Sequence, residues 1–226
     1  MRNKGRSGRR ERIVGMRNRY LVAMLVFLAA CGTKEPVAKE APKKAEPVQA
    51  PAVYKVRMET TKGPIVVEVH RDWAPRGADH FHTLVTEKFF DGVKFHRVVR
   101  RFAAQFGINP DLKKDQLWRA LELMDDPVKQ KNVRGTLTFA MRGPNTRTTQ
   151  LFFNLADNTS LDKDGFAPLG KVIEGLDVMD QLAFVYGDMP PRGSGPDPKK
   201  IQTLGYSYLD REFPRLDSIT TAKVVK

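Results

Sequence analysis

Arg97, Phe102 and Gln105 fall within one stretch, FHRVVRRFAAQFG at 95–107, with the phenylalanine five and the glutamine eight residues after the arginine. A guanidinium is a planar, permanently charged fork of donors, so its chemistry is to meet an acceptor in a fixed direction. The stretch begins with apolar and polar residues in alternation, which predicts a half-buried strand over 95–99. On that strand Phe95, Arg97 and Val99 share one face. An arginine among such neighbours is unusual unless its fork finds an acceptor. The alternative is an exposed cation in a basic run with Arg100 and Arg101. A second block, FAMRGPNTRTTQLFFN at 139–154, tips the choice. It brings two adjacent aromatics, Phe152 and Phe153, and a Gly-Pro-Asn turn at 143–145. A turn, a strand and a second aromatic wall are what a pocket around Arg97 requires.

The surrounding pattern supplies elements to hold such a pocket. Tyr54, Val56 and Met58 alternate with charged residues, and Ile65, Val67 and Val69 alternate again after a Lys62-Gly63 turn. That reads as a hairpin of two half-buried strands. Pro75 opens a helix at the position proline tolerates best, with Ala78, Phe81, His82 and Val85 on one face. Further strands are expected over 136–141, 150–154 and near 170–172. Leu176, Met179, Leu182 and Ala183 indicate a second helix. Residues 187–198 read as a loop, and Asp197-Pro198 as the cap and first turn of a last helix carrying Ile201, Leu204, Tyr208 and Phe213. Gly205 is its weak point. Residues 218–225 close the chain as a β-rich run. Many strands with few helices make the domain mainly β or α+β by pattern.

Other chemistries find less support. His80 and His82 are two apart and point to different helix faces, and His70 and His96 stand alone, so no metal site is expected. The run 162–165 has the look of a calcium loop, but Ser160 would be its first ligand and Lys171 would replace its closing glutamate. No Gly-x-Ser-x-Gly elbow supports a nucleophile. The net charge is +13, but residues 1–30 alone contribute +7 and the remaining residues mix both signs. Without a basic stripe interleaved with aromatics, no nucleic-acid partner is expected. One cysteine, Cys31, excludes an internal disulfide and a cysteine-based zinc site.

Residues 21–30, LVAMLVFLAA, are uncharged, follow Arg17 and Arg19, and are too few to span a bilayer. They predict a signal peptide over 1–30, with Met16 as an alternative start. Its end, Leu28-Ala29-Ala30-Cys31, is similar to the lipobox of bacterial lipoproteins, in which cleavage precedes a cysteine that is then lipidated. The alternative is an ordinary signal that ends beside a cysteine. Lipidation at Cys31 implies a membrane partner and a place in the cell envelope. Because Gly32 is not acidic, the periplasmic face of the outer membrane is favoured. Residues 31–52, rich in Ala, Pro, Lys and Glu, are expected to be a flexible tether ahead of a folded domain at 53–226.

The blocks at 95–107 and 139–154 resemble the cyclophilin family of peptidyl-prolyl cis-trans isomerases, with similarity from about Tyr54 to Val225. The longer segments at 106–135 and 187–215 look like those of a bacterial branch. The resemblance implies a closed eight-stranded antiparallel β-barrel capped by two helices, here with a C-terminal extra helix. It implies isomerisation of X-Pro bonds during folding of exported proteins, on proline-containing polypeptides, by a monomer with no cofactor. Arg97 matches the catalytic arginine. Phe102, Phe152 and Phe166 match aromatic walls of the proline pocket, Leu161 an aliphatic wall, and Gln105 the residue that orients the arginine. Ala140, Met141 and Arg142 align with the edge that binds substrate backbone, and Gln150 with a rim glutamine. Met141 replaces a usual asparagine, and Ala103 a common methionine. The alternative function is a non-catalytic module or envelope chaperone that holds proline segments.

Overall fold

The computed structural model describes residues 49–226. The expected signal over 1–30, Cys31, and the tether except for residues 49–52 lie outside the described residues. Ala50 is buried, and its N–H donates to Asp79 Oδ1 at 2.9 Å. The packed part of the chain therefore begins ahead of residue 53.

Strands β1 (Val53–Thr60) and β2 (Gly63–His70) form the expected hairpin, with Thr60 opposite Gly63 at the turn. Their alternation sends Tyr54, Val56, Met58, Ile65, Val67 and Val69 into the core. Helix α1 (Pro75–Thr86) starts at its proline and buries Ala78, Phe81, Leu84 and Val85, a stripe at helical spacing. Next come β3 (Arg97–Val99), β4 (Ala103–Phe106), α2 (Leu112–Arg119), β5 (Thr136–Phe139) and β6 (Leu151–Asn154). A 3-10 turn at Thr159–Asp162 leads to β7 (Pro168–Glu174) and α3 (Leu176–Asp180). The chain then makes α4 (Pro198–Leu204), α5 (Tyr206–Glu212) and β8 (Ile219–Val225).

All eight strands belong to one antiparallel sheet in the order β3-β4-β6-β5-β7-β2-β1-β8. The sheet is an open, strongly curled half-barrel with edges 13 Å apart, which corrects the expected closed barrel. The edges are β3 and β8. Around the starts of these strands, Phe95 N–H donates to Asp217 O at 2.9 Å and Ile219 N–H to Val93 O at 2.8 Å. That single bridge does not grow into a ladder. β3 has three residues, too few to follow β8 along its full pairing with β1.

The helices also differ from expectation. α2 lies in the long segment 106–135, for which the sequence pattern predicts no helix: its only buried side chain is an acid, Asp115, so it carries no apolar stripe. Its start is set by Asp111, whose carboxylate accepts from Lys113 N–H and Lys114 N–H. The expected last helix is two helices, split at Gly205, whose φ of 70° and ψ of −164° are not helical. Leu182 and Ala183 fall beyond α3, which is five residues long.

Packing in the sheet is what presents the site. Val98, Ala104, Phe153 and Leu137 form one cross-strand row, and all four are buried in the core. The adjacent row is Arg97, Gln105, Phe152 and Thr138. Successive residues on a strand face opposite sides, so fixing the first row inward turns the second outward. Behind it, Phe81, Phe90, Phe95, Phe106 and Phe153 pack ring against ring at 5.4–5.6 Å and give the sheet a stiff floor.

Candidate active site

The outward row opens into a groove of about 520 Å³. Every sequence-predicted site residue of the domain lines it. Arg97, Phe102, Ala103 and Gln105 come from the β3–β4 hairpin, and Gln150 and Phe152 from β6 and the residue before it. Ala140, Met141 and Arg142 follow β5. Leu161 comes from the 3-10 turn and Phe166 from the approach to β7. The spacing of eight between Arg97 and Gln105 is the hairpin register, which places the two directly opposite.

Arg97 is only 8% exposed. Its Nη1 donates to Gln105 Oε1 at 3.0 Å, and Gln105 Nε2 donates to Gln150 Oε1 at 2.9 Å. Its Cζ lies 5.3 Å from the centre of the Phe102 ring, within cation–π range. Phe152 and Phe166 meet edge to face at 5.8 Å and form an aromatic corner. Leu161 lies on the same groove wall.

A third partner of Arg97 lies outside the residues that the sequence pattern points to. Its Nε donates to Asp188 Oδ1 at 2.6 Å, across 91 residues of sequence. Asp188 lies in the loop after α3, which adds Met189, Pro190 and Arg192 to the groove, while α4 adds Lys199 and Gln202. Arg119 arrives from α2. A Gly/Pro-rich loop is legible in GDMPPRGSGPDP, but no local pattern tells which of its residues will face Arg97.

The four histidines are apart. His70 stacks on Trp73 at 4.3 Å, His80 Nε2 bonds Thr148 O at 2.8 Å, and His82 meets the Tyr54 ring at 5.0 Å. His96 is buried, and neither ring nitrogen makes a well-formed hydrogen bond. Burial, and then the Arg97 charge, push its pKa down to about 4; Gln150 and the Lys94 backbone pull weakly the other way. Above the ordinary value near 6.5 the ring is neutral in both states and has no effect on stability. Below it the unfolded chain takes up a proton that the folded chain refuses, so stability falls until about pH 4. The expected loss is about 3 kcal/mol. His80, also lowered chiefly by burial, acts in the same direction. Urea unfolding between pH 7 and 4.5 should show this slope, and His96→Leu should flatten it. An unchanged slope in the variant would rule out His96 as its source.

An outward groove on a curled antiparallel sheet, with one fixed guanidinium and aromatic walls, defines a cyclophilin-like protein. A solved structure of a Cryptosporidium parvum cyclophilin-type isomerase matches the fold with a TM-score of 0.56 at 19% identity, covering 77% of this chain and 98% of its own. A second structure of that protein, in the presence of the dipeptide Ala-Pro, matches with the same score at 20% identity, covering 76% of this chain and 99% of its own. In sequence, residues 55–202 match the family described as cyclophilin type peptidyl-prolyl cis-trans isomerase/CLD. The peptidyl-prolyl cis-trans isomerase of Acinetobacter baylyi is 36% identical over 141 residues, covering 58% of this chain and 72% of the relative. Peptidyl-prolyl cis-trans isomerase B of Escherichia coli is 31% identical over 145 residues, covering 58% and 84%. The chain belongs to the cyclophilin-type peptidyl-prolyl cis-trans isomerases, and it is an enzyme of that class.

Proposed function

We propose that Arg97 is the catalytic group and that the enzyme speeds X-Pro isomerisation in exported polypeptides from a lipid anchor at Cys31. The observation that carries the first part is the Arg97 guanidinium held by Gln105 inside an aromatic-walled groove. Amide resonance sets a barrier of about 20 kcal/mol to rotation. In the twisted state the prolyl nitrogen regains a lone pair, and a donor aimed at it stabilises that state above either planar one. No bond to the enzyme and no proton transfer is needed, so a permanently charged donor suffices.

The other roles follow from placement. Phe102, Phe152, Leu161 and Phe166 wall the proline ring, and Ala103 leaves that pocket wider than a longer side chain would. Past β5, Ala140 N–H is already taken by Gln150 O at 2.9 Å and Arg142 N–H by Thr146 Oγ1 at 2.9 Å. Among the described residues no hydrogen bond engages the Met141 main chain, so its N–H and C=O remain for a peptide laid along this edge. A main-chain role explains why methionine serves there. Gln150 steadies Gln105 and forms the rim.

The anchor rests on the sequence alone: a basic start, a short apolar run, and Leu28-Ala29-Ala30-Cys31. It would place a family member of bacterial type on the outer membrane, facing the periplasm. One experiment tests site and anchor together. Cells making the full chain or Cys31→Ser are fractionated, and each fraction is assayed on an Ala-Pro peptide. Wild-type activity is expected in the membrane fraction, and that of Cys31→Ser in the soluble one at equal specific activity. Soluble wild-type activity would remove the anchor, and no turnover in any fraction would remove the reading of the groove.

A further inference from the structure

We propose that Asp188 is a positioning residue for Arg97: its carboxylate, brought in by the loop after α3, fixes the plane of the guanidinium. The inference rests on the reading of Arg97 as the group that meets the substrate. The fork is held at two nitrogens, Nε by Asp188 Oδ1 at 2.6 Å and Nη1 by Gln105 Oε1 at 3.0 Å. One bond would leave rotation about the last side-chain torsions free. Two bonds on different nitrogens remove it, because any turn breaks one of them. Among the described residues Nη2 has no hydrogen-bond partner, and it is the nitrogen left for a substrate atom.

The loop is built around this acid. Asp188 Oδ1 also accepts from Met189 N–H at 2.8 Å, which fixes the carboxylate from its own side. Asp188 O accepts from Gly195 N–H at 2.9 Å. The chain folds back so closely that a Cβ at Gly193 would meet Asp188 O at 2.2 Å. Arg192 Nε stands 3.4 Å from Oδ2 and balances the second oxygen from the exposed side. Burial pulls the Asp188 carboxyl upward, but the hydrogen bond and charge of Arg97, then Met189 N–H and Arg192, bring it below its ordinary range. It therefore stays ionised throughout the neutral range.

A carboxylate could instead act as a brake by offsetting the charge of Arg97. The two roles separate by substitution. Asparagine keeps an oxygen that can accept from Nε and from Met189 N–H but has no charge, whereas alanine keeps neither. If Asp188 positions Arg97, Asp188→Ala should lose roughly tenfold in kcat on an Ala-Pro peptide with KM within about twofold. Asp188→Asn should recover most of that loss. An asparagine variant faster than wild type would mean a brake and overturn the proposal. So would an alanine variant with unchanged kcat, or equal losses in both variants accompanied by equal drops in melting temperature. Should Arg97→Ala itself remain active, the reading of the catalytic group fails. Should Arg97→Ala be inactive while Asp188→Ala is normal, only this inference fails.

Discussion

Arg97→Ala is expected to reduce kcat/KM on an Ala-Pro peptide by about 10²–10³-fold, while the protein remains folded. The magnitude is that of deleting one donor aimed at charge that develops in a water-poor site. The loss should fall on kcat, because the lone pair that Arg97 meets exists only in the twisted state. The proline walls Phe102, Phe152, Leu161 and Phe166 are untouched, so KM should change little. Folding should survive because Arg97 sits at the groove surface of β3 and the phenylalanine floor lies on the other face. Arg97→Lys sharpens the test. An ammonium restores the charge, but its donors diverge from one nitrogen and lack the planar fork that meets Gln105 and Asp188 on separate nitrogens. A loss of tenfold or more is expected for lysine. Full activity in the lysine variant would show that charge alone suffices and would remove the case for a fixed fork. Activity is best read in a protease-coupled assay and folding by circular dichroism of the same samples.

The groove was legible because its residues obey local rules. Arg97 and Gln105 are hairpin partners, and Phe152 and Phe153 alternate between groove and core, so strand periodicity reaches these contacts once a pocket is supposed. β4 was harder: AAQF has two alanines and no β-branched residue, and only its pairing with β3 and β6 makes it a strand. α2 escaped because its helical face buries an acid. Its Asp115 serves Asn109 N–H at 3.0 Å and Arg119 Nε at 3.3 Å instead of a core. Barrel closure depends on how far β3 and β8 run side by side, a property of the whole sheet that no segment records. Asp188 is the clearest case. Residues 187–198 are legible as a loop, yet the meeting of Asp188 with Arg97 depends on where α3 ends and α4 begins.

The largest effect on stability is expected at Asp126. The residue that caps the start of α1 is Ala74, whose methyl cannot accept from the free N–H groups of the first turn. Asp126 caps it from elsewhere in the chain: Oδ1 accepts from Arg76 N–H at 3.0 Å and Oδ2 from Gly77 N–H at 2.8 Å. Oδ2 also accepts from Arg147 Nη1 at 3.1 Å, and the Arg147 side chain is 2% exposed. Asp126→Ala would remove two caps and leave a buried guanidinium with Asp125 and the Met124 carbonyl as its remaining partners. Breaking a buried pair from one side costs about 3–5 kcal/mol, and lost caps act in the same direction. That is a large share of the stability of an ordinary domain. The double variant Asp126→Ala/Arg147→Met should lie closer to wild type than Asp126→Ala, because the unpaired charge goes with the arginine and its volume is refilled. Urea unfolding of the three proteins at pH 7 measures both differences. A single-variant loss below about 1 kcal/mol, or a double variant worse than the single, would mean that Arg147 finds other partners and that α1 needs no remote cap. The consequence for the site is mechanical. Arg147 lies between Met141 and Gln150 in sequence, and the His80 ring of α1 holds Thr148 O at 2.8 Å. Asp126 thus ties the start of α1 to the segment that presents the Met141 edge, and its loss should raise KM before it lowers kcat.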